Sequence, residues 1–276
     1  MSIQNFFEVR NGNVFVEFDY AQLEIRVLAL ASNDEQLIAD INDGVDMHTY
    51  FASRIFSKPE EDITPIERRQ AKAFSFELQY GASAKGIANN WGVPVALTEA
   101  FLAEYYARYS GVKNYHDEGI QETSATIAEE GDVDPDKNLA VPRFYIPSLW
   151  RDAMGMPLTE FRVLGNLNYN GETARPPQTK IKNYPIQGAA SDIMSLMLIE
   201  LHKFLEDQQA WMLNTVHDSV MCEIELGYED LLVPKIKDVL QSVPEVLQEM
   251  FDVTAPIAFP VEYSRGKTFK EVKDND

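Results

Sequence analysis

The sequence holds one cysteine, Cys222, and four histidines in 276 residues. A disulfide framework inside the chain and a cysteine-based zinc site are thereby excluded, and the apolar neighbours of Cys222 mark it as a buried packing residue. No run of about 18 apolar residues occurs, and MSIQNFFEVRNGN at the start has no basic segment followed by an apolar stretch. This predicts a soluble intracellular protein that is not secreted. Cations are also scarce: 24 Lys and Arg stand against 44 Asp and Glu, for a net charge of -20. Phosphate binding normally draws on clustered Lys and Arg, so this balance argues against a general nucleic-acid binder.

The charge is unevenly distributed, however. Between Pro142 and Gln187 the basic residues Arg143, Arg151, Arg162, Arg175, Lys180 and Lys182 outnumber Asp152, Glu160 and Glu172. The acids gather at Glu99 to Asp136 and from Glu223 onward. A local basic surface is compatible with this pattern. With 45% hydrophobic residues the chain has enough apolar material for one large domain or two packed subdomains.

VFVEFDY (Val14 to Tyr20) alternates apolar and polar residues, which predicts a strand, and AQLEIRVLALAS then takes up helical spacing. Asp19 lies at that junction. DEQLIADINDG and MHTYFASRIF read as short helices. In TPIERRQAKAFSFELQYG, Thr64 is the N-cap, Pro65 suits the first helical position, Glu67 completes a capping box and Gly81 supplies the stop. Further helices are expected at about Ser83 to Trp91, Leu97 to Tyr109 and Val112 to Glu130. Loops and short strands follow from Gly131 to Lys182, then a long helix, GAASDIMSLMLIELHKFLED. AWMLNTVHDSVMCEIEL reads as a hairpin with His217 and Asp218 at its turn. A helix at about Tyr228 to Met250 and a strand, FPVEYS, complete the expected elements.

Two constellations carry chemistry. Arg68, Lys72, Phe76 and Tyr80 recur every four residues and form one stripe of the capped helix. Two cations followed by two aromatics suit a nucleoside triphosphate, with phosphates at the cations and sugar and base at the rings. Spacing alone equally allows an exposed face whose lower half packs. Asp19 and Asp218 each end a predicted strand, and carboxylates converging there can hold a pair of Mg²⁺ ions about 4 Å apart. Taken singly, either is more simply a solvated carboxylate.

Together these segments resemble family A DNA polymerases, the bacterial DNA polymerase I group. DYAQLEIR (Asp19 to Arg26) resembles the first palm motif, usually a variant of DYSQIELR. RRQAKAFSFELQYG (Arg68 to Gly81) is similar to the fingers motif RxxxKxxxFxxxYG, and VHDS (Val216 to Ser219) resembles the third motif, normally HDE. KNYPIQGAASDIM (Lys182 to Met194) is similar to the segment whose Asn and Gln face the primer-template minor groove. DMHTYFASRIF, YYARYSGVKNY, VPRFYIP and VEYSRGKTF extend the likeness.

The resemblance implies an α+β polymerase palm, an antiparallel sheet with flanking helices, with an inserted helical fingers subdomain. It places the palm at 1–35 and 183–276, the fingers at 36–130 and connecting loops with a hairpin at 131–182. It implies template-directed transfer of nucleotides from dNTPs to a primer 3′-hydroxyl with two Mg²⁺ ions, for which Mn²⁺ can substitute. Asp19, Asp218 and the Tyr20 carbonyl would hold the metals. Arg68 and Lys72 would bind the triphosphate, with Lys72 as proton donor to pyrophosphate. Phe76 and Tyr80 would hold sugar and base, and His217 would meet the primer terminus. Glu24 would close the space beside C2′ and disfavour ribose. Asn183, Gln187, Lys180 and Lys182 would contact primer-template DNA.

Departures from the family pattern are specific. Ser219 stands where Glu is usual, Glu77 where Gly is usual, Ser75 where Asn is usual and Thr179 where Arg is usual, with Lys180 or Lys182 as substitutes for the last. Only 18 residues precede Asp19, whereas the family places an exonuclease-like domain and the DNA-gripping thumb there. The expectation is therefore the catalytic half of a split polymerase, of the kind some bacteriophages encode in two genes and express in the infected cell. A basic partner would supply the thumb. Two other readings are a non-catalytic remnant that binds DNA or a replication protein, and an unrelated Mg²⁺-dependent hydrolase. The second leaves the Arg-Lys-Phe-Tyr stripe unexplained.

Overall fold

The computed structural model describes residues 7–79, 81–125, 132–134, 139–141, 143–167 and 174–274. The chain divides into two compact units, Met1–Arg26 with Ala190–Asp276, and Val27–Ala189.

The first unit is built on a four-stranded antiparallel sheet. Its strands are β1 (Asn13–Tyr20), β8 (Ala210–Val216), β9 (Ser219–Glu225) and β10 (Val261–Gly266), in the order β10-β1-β9-β8. Alternation gives β1 two different faces. Val16, Phe18 and their neighbours Cys222 and Ile224 on β9 form a face that is almost wholly buried. Helix α9 (Glu229–Gln241) packs on β9 and β10, and the Tyr20 hydroxyl donates to the Leu240 carbonyl at 2.5 Å. On the other face Phe15 and Met221 pack with Val272 and Phe269 of α11 (Phe269–Asp274). That short terminal helix was not anticipated from sequence.

The expected helix at 228–250 is two: α9 ends at Gln241 and α10 spans Val243–Phe251. Pro244 lies in the first turn of α10. It has no N–H to continue α9, and it disfavours helical backbone at the residue before it.

The second unit is mainly helical. It contains α2 (Glu35–Asn42), α3 (Met47–Phe56), a 3₁₀ turn (Glu60–Asp62), α4 (Pro65–Gln79), α5 (Ala84–Trp91), α6 (Val95–Arg108) and α7 (Ser110–Ala125). Two-stranded pairs β2 (Asp132–Asp134) with β3 (Leu139–Val141), β4 (Arg143–Pro147) with β5 (Glu160–Leu164), and β6 (Asn166–Leu167) with β7 (Ala174–Arg175) follow. Helix α1 (Leu23–Ser32) and helix α8 (Gln178–Leu205) run through the boundary between the units. The tail of the helix expected at 112–130 lies outside the described residues beyond Ala125.

Aromatic edges hold the helices together: Phe51 meets Phe101, Tyr105 and Tyr109 with ring centroids 5.1 to 6.2 Å apart. Arg108 and the Tyr109 hydroxyl converge on the buried Asp40 at 2.7 to 2.9 Å. Asp34 caps α2 and also accepts from the Gly111 N–H at 2.6 Å. A Cβ at Gly111 would sit 2.9 Å from Asp34, so the approach requires glycine.

The long helix expected from Gly188 begins ten residues earlier, at Gln178, and runs through Pro185. Proline inside a helix removes one backbone donor and signals a break in sequence. Packing overrides that signal: Ile181 joins Phe144, Ile146 and Val163 in one core, with Tyr184 against it.

Candidate functional site

In the first unit, one strand register assembles the acidic pair. Asp19 at the end of β1 is paired with Ser219, the first residue of β9. Asp218 precedes Ser219 in a two-residue turn, and the Tyr20 N–H donates to the Asp218 carbonyl at 3.2 Å. One backbone hydrogen bond thus ties the turn that carries Asp218 to the strand end that carries Asp19. His217, the other turn residue, has φ 56° and is exposed. The left-handed conformation costs a non-glycine residue about 1–3 kcal/mol, and such positions cluster at functional sites. Glu24 sits in the first turn of α1, and Arg26 anchors that turn by donating to the carbonyls of Ala21 and Ala258 at 2.8 and 2.7 Å.

Hard carboxylate oxygens with solvent access fit Mg²⁺, which retains several waters and is held by one or two carboxylates together with substrate phosphates. Asp19 and Asp218 are both partly exposed and meet that description. Among the described residues no group of three His, Cys, Asp or Glu side chains converges to hold a metal by itself.

In the second unit, helix α4 carries the cationic stripe. Its start is the capping box read from sequence: the Glu67 N–H donates to Thr64 Oγ1 at 3.3 Å and the Thr64 N–H to Glu67 Oε2 at 3.0 Å. Lys58 adds an ion pair to Glu67 at 2.5 Å. Gly81 ends the helix at φ 74°, and its N–H donates to the Leu78 carbonyl. Tyr80, the last residue of the stripe, lies outside the described residues.

Arg68 is held by Asp46, with Nε and Nη2 at 2.6 and 3.2 Å from the carboxylate. Asp46 also caps α3, accepting from the backbone N–H groups of His48 and Thr49. Burial alone would raise the Asp46 carboxyl, but the bonds from Arg68 and Thr49 hold it at about 2. The Lys72 ammonium is 5.7 Å from the Phe76 ring centroid, and the His48 ring is 6.0 Å from it. His48 is 6% exposed, and neither ring nitrogen has a partner among the described residues. Its pKa is lowered by burial and by the charge of Lys72, then Arg68, against the pull of Asp46. An imidazole beside two cations can donate its ring N–H to an anionic ligand. Sequence reading passed over His48; its place at the second position of a capped helix, DMHTYFASRIF, was the available signal.

Two of the residues that depart from the family pattern, Glu77 and Ser75, have identifiable partners. Glu77 accepts from Trp91 Nε1 at 3.0 Å and Asn90 Nδ2 at 3.1 Å, so it ties α4 to α5. Ser75 is buried and donates to the Ala71 carbonyl at 2.8 Å. Thr179 is exposed on the first turn of α8. Lys180 is exposed nearby, with its ammonium 5.8 Å from the Tyr184 ring. Lys182 turns inward instead, donating to the Tyr106 hydroxyl at 3.2 Å, and burial lowers its pKa. Gln187 is exposed, whereas Asn183 is half-buried with its Oδ1 unpartnered among the described residues.

The two aspartates and the cationic helix therefore belong to separate units, each ordered by its own local contacts. A four-stranded antiparallel sheet with an inserted, mainly helical unit is the architecture of a polymerase palm and fingers. The family model for DNA polymerase family A matches residues 1–271, and the chain belongs to that family. It is 33% identical to DNA polymerase I of Streptococcus pneumoniae serotype 4 over 264 residues, which is 95% of this chain and 26% of the relative. It is 29% identical to the thermostable DNA polymerase I of Thermus aquaticus, over 96% of this chain and 28% of that protein. The chain thus spans about a quarter of the length of these curated relatives. The fold is similar to the POL domain of Pol1 from M. smegmatis, solved in complex with DNA primer-template and dNTP. That match has a TM-score of 0.73 at 24% identity and covers 98% of this chain and 42% of the other.

Proposed function

We propose that this chain catalyses template-directed DNA synthesis, transferring nucleotides from dNTPs to the 3′-hydroxyl of a primer. The observation that carries this reading is the pairing of β1 with β9 within a family A fold, which sets Asp19 opposite Ser219, the residue that follows Asp218. Two Mg²⁺ ions, when bound, supply activation of the attacking hydroxyl and stabilisation of the departing pyrophosphate. Asp19, Asp218 and the Tyr20 carbonyl are their protein ligands on this reading, and Mn²⁺ substitutes.

The other residues act by position and charge. Arg68 and Lys72 bind the triphosphate, and Lys72 donates a proton to the leaving group. His48 joins them as a neutral partner for a phosphate oxygen. Phe76 and Tyr80 hold the sugar and base, Glu24 excludes a 2′-hydroxyl, and His217 meets the primer terminus. Asn183, Gln187 and Lys180 lie along primer-template DNA; Lys182 serves packing through Tyr106 as well. On this reading 1–35 and 183–276 are the palm, 36–130 the fingers and 131–182 the connecting loops.

A net charge of -20 is a poor grip for DNA on its own. We therefore propose a separate basic protein that supplies the thumb, in a two-chain polymerase of the kind phages encode. Primer extension with Mg²⁺ and four dNTPs tests the whole reading, with the Asp218→Asn variant as control. Extension by the wild-type chain alone means that no partner is needed. Extension only after a copurifying host or phage protein is added supports the split enzyme, and none under either condition favours a non-catalytic remnant.

A further inference from the structure

Ser219 follows Asp218 where the family motif usually has a glutamate, and an acid stands one strand away. Glu17 lies two residues before Asp19 on β1, so both side chains project from the same face of the sheet. The pairings Asp19 with Ser219 and Glu17 with Met221 put Ser219 on that face too. Glu17 is 1% exposed. Its Oε1 accepts from Ser219 Oγ at 2.6 Å and from Lys273 Nζ of α11 at 2.5 Å. Its Oε2 is buried with no partner among the described residues.

The Lys273 ammonium and the Ser219 hydroxyl account for one oxygen of this acid. On the same face Phe15 and Met221 belong to an apolar cluster with Val272, and Ser264, opposite Glu17 on β10, is buried with its own Oγ unpartnered among the described residues. A buried carboxylate with one oxygen left unsatisfied is costly and calls for a use beyond packing.

We infer that Glu17 is the relocated counterpart of the acid that Ser219 replaces, and that it acts as a positioning residue for Asp218. The link runs from Lys273 on the terminal helix to Glu17 on β1 and on to Ser219 on β9. The Ser219 hydroxyl also lies 3.0 Å from the Val216 carbonyl, across the turn that carries Asp218. With a single hydrogen to give, the hydroxyl serves the closer Glu17 Oε1 and so joins β9, next to Asp218, to the strand of Asp19. The inference rests on the reading of Asp19 and Asp218 as the metal-holding pair.

The test is Mn²⁺ binding by the full chain, titrated by electron paramagnetic resonance, with thermal melting as a check of the fold. The proteins are wild type, Asp218→Asn, Glu17→Gln, Ser219→Ala and the exchange Glu17→Ser with Ser219→Glu. Glu17→Gln and Ser219→Ala are expected to weaken Mn²⁺ binding about tenfold, the scale seen for partners that orient metal ligands. The exchange is expected to return to within about threefold of wild type. Mn²⁺ affinity unchanged in Glu17→Gln and Ser219→Ala, with Asp218→Asn impaired, overturns the inference and leaves the metal pair standing. Unchanged affinity in Asp218→Asn as well overturns both. An exchange variant that melts like wild type yet stays weak refutes the relocation.

Discussion

Asp19 faces Ser219 across the β1–β9 pairing, and the next residue's N–H, on Tyr20, reaches the Asp218 carbonyl at 3.2 Å. The separation of the two acids is therefore set by the sheet register. A slip of one residue would turn Asp19 to the opposite, buried face.

Because both acids are partly exposed at strand ends, neutralising either should leave the fold intact. Asp19→Asn and Asp218→Asn are each expected to lower primer extension by about 10²-fold or more, the scale for removing one group that stabilises charge in the transition state. Circular dichroism should be unchanged. A variant that extends primers at the wild-type rate removes that residue from the metal pair.

Asp46 links two functions of the helical unit, capping α3 and holding Arg68. Asp46→Asn keeps a good cap and removes the ion pair. If a triphosphate must take Arg68 from Asp46, the dNTP KM should fall about threefold or more in this variant; a rise would mean that Asp46 presents Arg68 rather than restrains it. The pH dependence has a fixed direction. The Asp46 carboxyl is held at about 2 against an ordinary 3.8, and the Glu67 carboxyl, through its bonds from Lys58 and Thr64, also at about 2. Groups depressed on folding contribute stability that is complete above the unfolded pKa and is lost as pH falls through the folded one. The melting temperature should therefore drop between about pH 4 and 2, with a shallower slope in Asp46→Asn.

Glu24 occupies the first turn of α1, where Arg26 fixes the backbone through two carbonyls. If its carboxylate closes the space beside the sugar C2′, Glu24→Ala should lower discrimination against ribonucleotides by at least about tenfold in competitive incorporation. Discrimination equal to wild type would assign sugar selection to another residue.

Local signals explain what the sequence disclosed. The alternation of Val14 to Tyr20, the Thr64–Glu67 capping box and the hairpin around His217 depend on neighbours a few residues apart, and all three appear in the structure. Prolines were harder to read, because Pro185 is tolerated where Ile181 and Tyr184 pack, while Pro244 starts a new helix. Least legible were contacts between distant residues. Asp46 and Arg68 are 22 positions apart, and Glu17 and Lys273 are 256 apart, so no spacing rule connects them.

That last contact also bears on stability. Lys273 is the cation that accompanies the buried Glu17 carboxylate, and its side chain is 32% exposed against 1% for Glu17. Replacing it with methionine keeps much of the stem's packing but leaves the acid buried with only the Ser219 hydroxyl. Removing the partner of a wholly buried ion pair costs about 3–5 kcal/mol. Solvent at Lys273 screens part of this, so Lys273→Met is expected to cost about 1–3 kcal/mol in urea denaturation. Glu17→Gln in the same background should recover most of the loss, since a neutral amide needs no cation. A double variant no more stable than Lys273→Met would show that Lys273 stabilises the C-terminal helix independently of Glu17.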